Sequence, residues 1–242
     1  MDYLTSSLPH WVSILFLIAI TIPIFLIAHL VKKGMMKSAG PKQASFHFYW
    51  IIGFYFLYLL FVTIACFNGL FAQNSLPPRI MVLTAFPLLA FYIILILNLS
   101  ATKRIIKSLE LSDLVRVHIF RLIGSFFVIM GLYGTVPQTF AFTAGFGDIF
   151  IALISIAVTA TLVRQKPYAL KLTWIWNTFG LIDILLTSFL AFWFTKQNIE
   201  TGSLGVNVLT EFPFCFIPSF APATIIFLHL CTYKKLLSHP TT

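Results

Sequence analysis

The chain has 242 residues, of which 59% are hydrophobic and only 10% are charged, and its mean hydropathy is +0.95. A soluble domain carries about a quarter charged residues, so this composition excludes a water-soluble globular protein and predicts an integral membrane protein. The net charge of +9 does not indicate a nucleic-acid surface, because the basic residues follow alternate apolar segments and form no single patch. No nucleic-acid partner is expected.

Seven windows of about 20 apolar residues are each long enough to cross a bilayer as a helix. The segments between them are short, so we expect an all-α protein in which residues 1–242 form a single seven-helix transmembrane domain. The windows cover approximately residues 11–31, 47–67, 80–98, 114–136, 139–163, 170–195 and 213–233.

The basic residues of the connecting segments lie on alternate sides of the expected membrane. Most basic residues form groups that follow the odd-numbered spans. The connections after the even-numbered spans carry only Arg79 and Lys196. The positive-inside rule then predicts an external N-terminus and a cytoplasmic C-terminus. The first span has no basic n-region and contains Pro23, so we expect a retained helix and not a signal peptide. The groups after the odd spans are Lys32, Lys33, Lys37 and Lys42, then Lys103, Arg104 and Lys107, then Arg164, Lys166 and Lys171, and finally Lys234 and Lys235.

Asp148 interrupts an otherwise uncharged run from Thr139 to Val163. At 100° per residue it shares a stripe about 100° wide with small side chains, whereas Phe146 and Phe150 lie away from this stripe. A stripe of small residues lets another helix approach closely, so Asp148 is predicted to face protein and not lipid. The stripe consists of Ala141, Ala144, Gly145, Asp148, Ala152, Ser155 and Thr159.

Three neighbouring spans present polar faces of the same kind, and we expect four helices to meet around a polar interior. On span six an arc of about 120° contains Thr173, Trp176, Asn177, Gly180, Asp183 and Thr187. Span four places His118, Arg121 and Ser125 on one face, and span seven aligns Pro218, Pro222 and His229.

The depths of the charged residues suggest which of them interact. With a rise of 1.5 Å per residue, Asp183 is expected near the midplane, Asp148 about 4 Å outward and Arg121 about 6 Å toward the cytoplasm. Arg121 is then the expected counter-ion of either acid, since one charge at a helix centre costs about 2.5–3.5 kcal/mol. Two carboxylates facing one guanidinium leave one acid available to carry a proton or to pair with a protonated His229.

These considerations predict a ligand- or proton-binding site near the midplane, between spans four and seven. The protein is predicted to be a small transporter or ligand-binding membrane protein. Its span seven is predicted to be a helix broken by proline, which either moves or donates carbonyl groups to the site. An intramembrane enzyme is one alternative, with Asp148 or Asp183 as general acid or base beside His229, or with metal chemistry at this site. A sensor or scaffold with a purely structural ion-pair network is the other. The predicted site residues are Arg121, Asp148, Asn177, Asp183 and His229.

No cofactor or metal is expected, although two weaker patterns leave alternatives open. Four histidines fall toward the cytoplasmic ends of four spans and could gather around a metal or a haem, but none has an i, i+4 or Glu-x-x-His partner. The cysteines show no metal-binding spacing, and Cys66 and Cys215 could pair if their helices touch. The four histidines are His29, His47, His118 and His229.

Four motifs lie between Arg121 and His229: Arg-x-x-Gly, Ala-Gly-x-Gly-Asp, Trp-Asn-x-x-Gly-x-x-Asp, and Pro-x-x-x-Pro with a downstream His. Together they resemble a family of uncharacterised bacterial multi-pass integral membrane proteins. The resemblance implies a location in the bacterial cytoplasmic membrane. The implied partners are the lipid bilayer and a small molecule or proton, and no particular substrate is implied.

Overall fold

The computed structural model describes residues 8–72 and 75–238, and this part of the chain is helical and contains no strand. Seven of its helices are long and apolar enough to cross a membrane, which confirms the predicted all-α fold class. They are span one (His10–Ala39), span two (Pro41–Phe67), span three (Met81–Asn98), span four (Leu111–Leu132), span five (Gln138–Val163), span six (Ala169–Thr201) and span seven (Phe216–Leu237).

The connection between spans one and two is shorter than the sequence suggested. Only Gly40 separates them, and its φ of 84° is a left-handed conformation that glycine adopts without steric cost. Pro41 then occupies the first turn of span two, where its missing N–H costs nothing. The basic residues predicted to lie in this loop therefore project from the ends of the two helices. They are Lys32, Lys33, Lys37 and Lys42.

Three spans depart from regular α-helix. Span one is interrupted at Ile20, three residues before Pro23, whose ring nitrogen has no hydrogen to donate to the preceding turn. Span three contains two π-helical turns, Met81–Ala85 and Phe91–Leu95. Span four winds as a 3-10 helix from Val117 to Gly124, and runs of that length are uncommon.

Spans four and seven are the most buried helices of the bundle, and span five packs against spans four and six. The outer spans turn bulky apolar side chains outward, as expected of a surface in contact with lipid. On span five, for example, Phe146, Phe150 and Leu153 are exposed whereas Ala141 and Ala144 are fully buried. The predicted division of this helix into a small inner stripe and a bulky outer face is therefore confirmed.

A short amphipathic helix, Ser100–Ser108, lies between spans three and four and is called the basic helix below. Its Ile105 and Ile106 are buried, and Gly34 of span one allows the approach, since a Cβ there would lie 2.7 Å from Ile105 Cγ2. The polar face carries three exposed basic side chains, those of Lys103, Arg104 and Lys107.

Two salt bridges fix span one to the start of span four. Lys33 Nζ lies 2.7 Å from Asp113 Oδ1, and Lys37 Nζ lies 3.1 Å from Glu110 Oε1. The same two acids cap span four, since the backbone N–H of Glu110 donates to Asp113 Oδ2 at 3.3 Å. The end of the bundle that holds these residues, the basic helix and the connection after span five is called the basic end.

Candidate functional site

Arg121 stands at the centre of the polar interior and is 1% exposed. Its Nε donates to Asp148 Oδ1 at 2.6 Å, and its Nη2 donates to Asp183 Oδ2. One guanidinium therefore bridges the two aspartates, which come from two different helices. The carboxylates differ in exposure, since the Asp148 side chain is 8% exposed and the Asp183 side chain 15%.

The remaining guanidinium nitrogen of Arg121 connects this ion pair to span seven. Its Nη1 donates to the backbone oxygen of Gly180 at 3.0 Å and lies 3.3 Å from His229 Nε2. Because a guanidinium can only donate, His229 Nε2 is the acceptor. His229 Nδ1 then carries the proton and donates to Asn177 Oδ1 at 2.8 Å, while Asn177 Nδ2 donates to the His229 backbone oxygen at 3.2 Å.

The five residues that the sequence predicted as a site thus lie in one hydrogen-bonded cluster, called the Arg121 cluster below. One detail of the prediction was wrong. Span four runs from Leu111 to Leu132, so Arg121 lies at the middle of its helix and not about 6 Å toward the cytoplasm. The error arose because the hydropathy window, residues 114–136, started three residues late and ended four residues late.

Glycines allow the helices to approach each other around this cluster. A Cβ on Gly124 would lie 2.8 Å from Asp148 Oδ2, and one on Gly180 would lie 2.5 Å from His229 Cε1. Both distances are shorter than any van der Waals contact, so no larger residue fits without displacing the polar groups. The glycines of the Arg-x-x-Gly and Trp-Asn-x-x-Gly-x-x-Asp motifs are thereby explained as points of close contact between helices.

His118 also adjoins the cluster, although the sequence prediction left it out of the site. Its ring lies 4.3 Å from the ring of His229 and meets Trp176 edge-on at 5.0 Å, measured between centroids. Both ring nitrogens are buried, and neither has a hydrogen-bond partner in the described residues. The available signal was the three-residue spacing to Arg121, which places the two side chains in line on a 3-10 helix.

The same winding explains why Ser125 does not lie on the face predicted for it. In a 3-10 helix residues three apart share a face, so Gly124 follows His118 and Arg121. Ser125 instead borders a surface groove together with Ile22 and Leu122. A regular α-helix would have placed it with Arg121, as the 100° periodicity predicted.

A cavity of about 50 Å³ adjoins Arg121 and Asp148 on the side of the bundle away from the basic end. A second recess of about 40 Å³ lies beside Arg79. It shares part of its wall with the cavity, so the two lie next to each other. The residues common to both are Met81, Ala191, Leu209 and Pro218.

Span seven lines this cavity but is not the broken helix that the sequence predicted. Its α-helix begins at Phe216, so Pro218 falls in the first turn, where no backbone donor is missed. Pro222 lies inside the helix, which continues unbroken to Leu237. Because both prolines line the cavity, the carbonyl that Pro222 leaves without a donor, that of Pro218, belongs to a cavity-lining residue.

The four histidines considered as metal or haem ligands do not gather. His29 is exposed, and His47 Nδ1 pairs with the Gln43 backbone oxygen of its own helix at 2.8 Å. Only His118 and His229 lie together. Within residues 8–72 and 75–238 no group of three or more His, Cys, Asp or Glu side chains could hold a metal ion.

Cys66 and Cys215 are neighbours, although both are free thiols. Cys66 Sγ donates to the backbone oxygen of Thr210 at 3.4 Å. The hydrogen bond with Cys66, together with burial, raises the pKa of the Cys215 thiol well above its ordinary value. Cys215 is therefore a protonated and unreactive thiol at neutral pH.

In the part of the chain that the structure describes, the fold and site define a helical protein with seven candidate membrane spans and a buried polar cluster around Arg121. The chain belongs to the family described as Domain of unknown function (DUF8737), whose model matches residues 77–237. The match covers about two thirds of the chain, including spans three to seven and the whole Arg121 cluster. No curated protein and no solved structure matches the chain.

Proposed function

We propose that this protein is a small membrane transporter in which the Arg121 cluster binds a proton and the adjoining cavity admits a small ligand. The observation that carries the proposal is a single guanidinium held between two carboxylates at the inner end of a cavity. On the resemblance of its motifs, we place the protein in the cytoplasmic membrane of a bacterium.

The charge balance of the cluster supports proton binding. Arg121 contributes one positive charge, Asp148 and Asp183 two negative charges, and His229 none while its Nε2 accepts from Arg121, which leaves one uncompensated negative charge. An isolated charge inside a bilayer is costly, and one bound proton removes it. Each carboxylate also keeps an oxygen with no hydrogen bond among the described residues, namely Asp148 Oδ2 and Asp183 Oδ1.

The position and size of the cavity support transport. Asp148 lines the cavity, so a proton or hydronium ion that enters the cavity reaches this carboxyl group. A volume of about 50 Å³ accommodates a few water molecules, since one water needs about 10–15 Å³. Ligand pockets typically measure about 300–1,000 Å³, so a ligand is admitted only when the helices move apart, as alternating access requires.

The two alternatives have less support. An enzyme using His229 as general base needs a free lone pair on Nε2, and that lone pair already accepts from Arg121. The structural alternative rests on the fact that every guanidinium nitrogen of Arg121 donates to a group of the protein. It does not account for the unbonded carboxylate oxygens or for the cavity that Asp148 lines.

Cysteine accessibility tests the proposal without knowledge of the substrate. Ser188 lines the cavity, and Ser188→Cys in a cysteine-free background is to be modified in proteoliposomes by a charged methanethiosulfonate reagent. We expect the modification rate, divided by that of Ser203→Cys, to change by about tenfold between acidic and alkaline buffer. Ser203 is exposed outside the helices, so it corrects for the pH dependence of the thiol reaction itself.

The proton-binding residue is identified by adding Asp148→Asn to Ser188→Cys, which should abolish this pH dependence. Asp113→Asn is the control, because Asp113 pairs with Lys33 at the basic end, away from the cavity. A normalised rate that stays constant with pH would contradict the proposal and favour a purely structural ion-pair network.

A further inference from the structure

A second, much larger recess lies on the other half of the molecule, away from the Arg121 cluster. It measures about 260 Å³ and is enclosed by spans one, two, three and seven together with the basic helix. Phe46, Trp50 and Leu99 at its border are exposed, whereas Tyr55 and Tyr92 at its inner end are 3% and 4% exposed. The recess therefore runs from the outer surface of the bundle into its interior, and it is called the lateral groove below.

The inner end of the lateral groove is a fixed wall. Tyr55 and Tyr92 share a hydrogen bond of 2.7 Å between their hydroxyl groups, and the Tyr92 hydroxyl lies 3.4 Å from Thr224 Oγ1 of span seven. These polar groups are therefore satisfied among themselves. What remains for an occupant to contact is a lining of mainly aliphatic and aromatic side chains, to which Phe54 and Phe91 contribute.

The length of the lateral groove matches one leaflet of a bilayer. Along span two its lining extends from Phe46 to Tyr55, which is about 14 Å at 1.5 Å per residue. Half of a hydrocarbon core of about 30 Å is about 15 Å. A groove that starts at the basic end therefore reaches the bilayer midplane and has the length of one acyl chain.

Among the described residues, basic side chains without an acidic partner lie on the basic helix, next in sequence to residues that line the groove. Ala101 and Thr102 line the groove, and the next residues along the basic helix are Lys103 and Arg104, both exposed. Where the structure describes the chain, neither they nor Lys107 form an ion pair, in contrast to the lysines of span one that bind Asp113 and Glu110.

The basic helix is also held firmly in place. Ser108 Oγ donates to the backbone oxygen of Gly34, and Lys235 Nζ donates to that of Lys107, each at 2.8 Å. Together with the burial of Ile105 and Ile106, these contacts attach the helix to spans one and seven. Its backbone therefore has a fixed position relative to the groove.

We propose that the lateral groove is a binding site for one phospholipid with an anionic headgroup, whose acyl chain fills the groove and whose headgroup lies against Lys103 and Arg104. Of three apolar grooves on the surface of the bundle, only this one is lined by residues of the basic helix. The groove beside Ser125 and another between spans one and two have apolar linings and no basic residue. This site is independent of the proposed function of the Arg121 cluster.

Native mass spectrometry of the delipidated full-length protein in detergent tests the proposal, using phosphatidylglycerol and phosphatidylcholine with identical acyl chains. We expect the first phosphatidylglycerol to bind at least about tenfold more tightly than phosphatidylcholine. The double variant Lys103→Gln, Arg104→Gln should reduce this preference to about twofold while phosphatidylcholine binding is retained. The control is Arg164→Gln, Lys166→Gln, which removes two exposed charges from the same end of the bundle away from the groove.

The apolar part of the site is tested by filling it. Thr102→Phe should weaken the binding of both lipids by about tenfold, a typical loss when an occupied apolar site is blocked. The matched control Thr63→Phe fills a different surface groove, between spans one and two, and should leave the first binding constant unchanged. If Thr102→Phe does not fold, as judged by thermal unfolding, Ala101→Val is the smaller substitution at the same wall. Equal affinity for the two lipids, or equal losses in the test and control variants, would show unspecific lipid contact and overturn the proposal.

Discussion

Arg121 is the residue on which the polar interior depends. Its Nε, Nη1 and Nη2 donate to groups from spans five, six and seven, so its removal leaves two carboxylates inside the bundle without a fixed cation. Breaking a buried ion pair from one side is far more costly than replacing the whole pair. Substitutions at Arg121 and at the aspartates should therefore not be additive.

We expect Arg121→Ala to lower the free energy of unfolding by about 3 kcal/mol or more. Adding Asp148→Asn or Asp183→Asn should restore part of this loss, because a neutral amide needs no counter-ion. Thermal unfolding in detergent of the single and double variants forms a double-mutant cycle. The comparison pair is Lys33 and Asp113. Because the Lys33 side chain is 44% exposed, a coupling energy below about 1 kcal/mol is expected for this pair. Additive losses at Arg121 and both aspartates would mean that the three side chains do not act as one cluster.

The inward direction of the two aspartates could be predicted from the sequence, because helical periodicity alone assigns a residue to a face of its helix. The contacts of Arg121 could be anticipated only in part. Its pairing with an acid follows from the cost of a buried charge, but its bonds to the Gly180 carbonyl and to His229 Nε2 depend on how far spans six and seven approach it. That distance is set by glycines whose role is visible only once the helices are packed.

At the scale of helices, the glycines of spans four, five and six decide how closely the polar faces meet. Gly180 is the clearest example, because its missing Cβ makes room for the His229 ring and its carbonyl accepts from Arg121. Gly53 in span two has no atom within 4 Å of the position where a Cβ would be. The two glycines lie inside long helices and differ only in what surrounds them.

Gly180→Ala is accordingly expected to lower the free energy of unfolding by about 1–3 kcal/mol, because the added methyl group displaces His229. Gly53→Ala should raise it by up to about 1 kcal/mol, since alanine is the better helix former and meets no neighbour. Thermal unfolding of both variants under the same detergent conditions makes the comparison. Equal effects of the two substitutions would argue against the close contact at Gly180.

The irregular helices could be predicted only where a proline marks them. Pro23 signals the interruption of span one, and Pro87 lies just after the first π-helical turn of span three, although it does not specify that form. The segment Val117–Gly124 contains no proline, and its residues are equally compatible with an α-helix, so local propensity gives no reason for a 3-10 winding. Packing of Gly124 against Asp148 favours it, because it brings Gly124 into line with Arg121.

For the whole molecule, composition and hydropathy were sufficient to predict seven helices. They could not predict the cavity or the lateral groove, since these arise from gaps between helices that are distant in sequence. The arrangement of basic residues also predicts how the helices are oriented in the membrane. An external N-terminus is predicted from charge alone, and all connections at the basic end are then cytoplasmic.

Cysteine labelling tests this orientation, because Ser45 and Ser203 are both exposed and lie at opposite ends of the bundle. In intact cells expressing a cysteine-free background, an impermeant maleimide should label Ser203→Cys, whereas Ser45→Cys should be labelled only after the membrane is opened. The two positions serve as controls for each other. Labelling in the reverse order would invert the predicted topology.

The 3-10 segment of span four also sets the length of that helix. Eight residues rise about 16 Å in this winding and about 12 Å in an α-helix, and they turn through about 960° and 800°, respectively. Rewinding the segment as an α-helix would draw the ends of span four together by about 4 Å and twist one end against the other by about 160°. The salt bridges of Glu110 and Asp113 hold one end of span four. A change in the winding would therefore move Arg121 and the opposite end of the helix relative to that fixed end, and it would change the shape of the cavity.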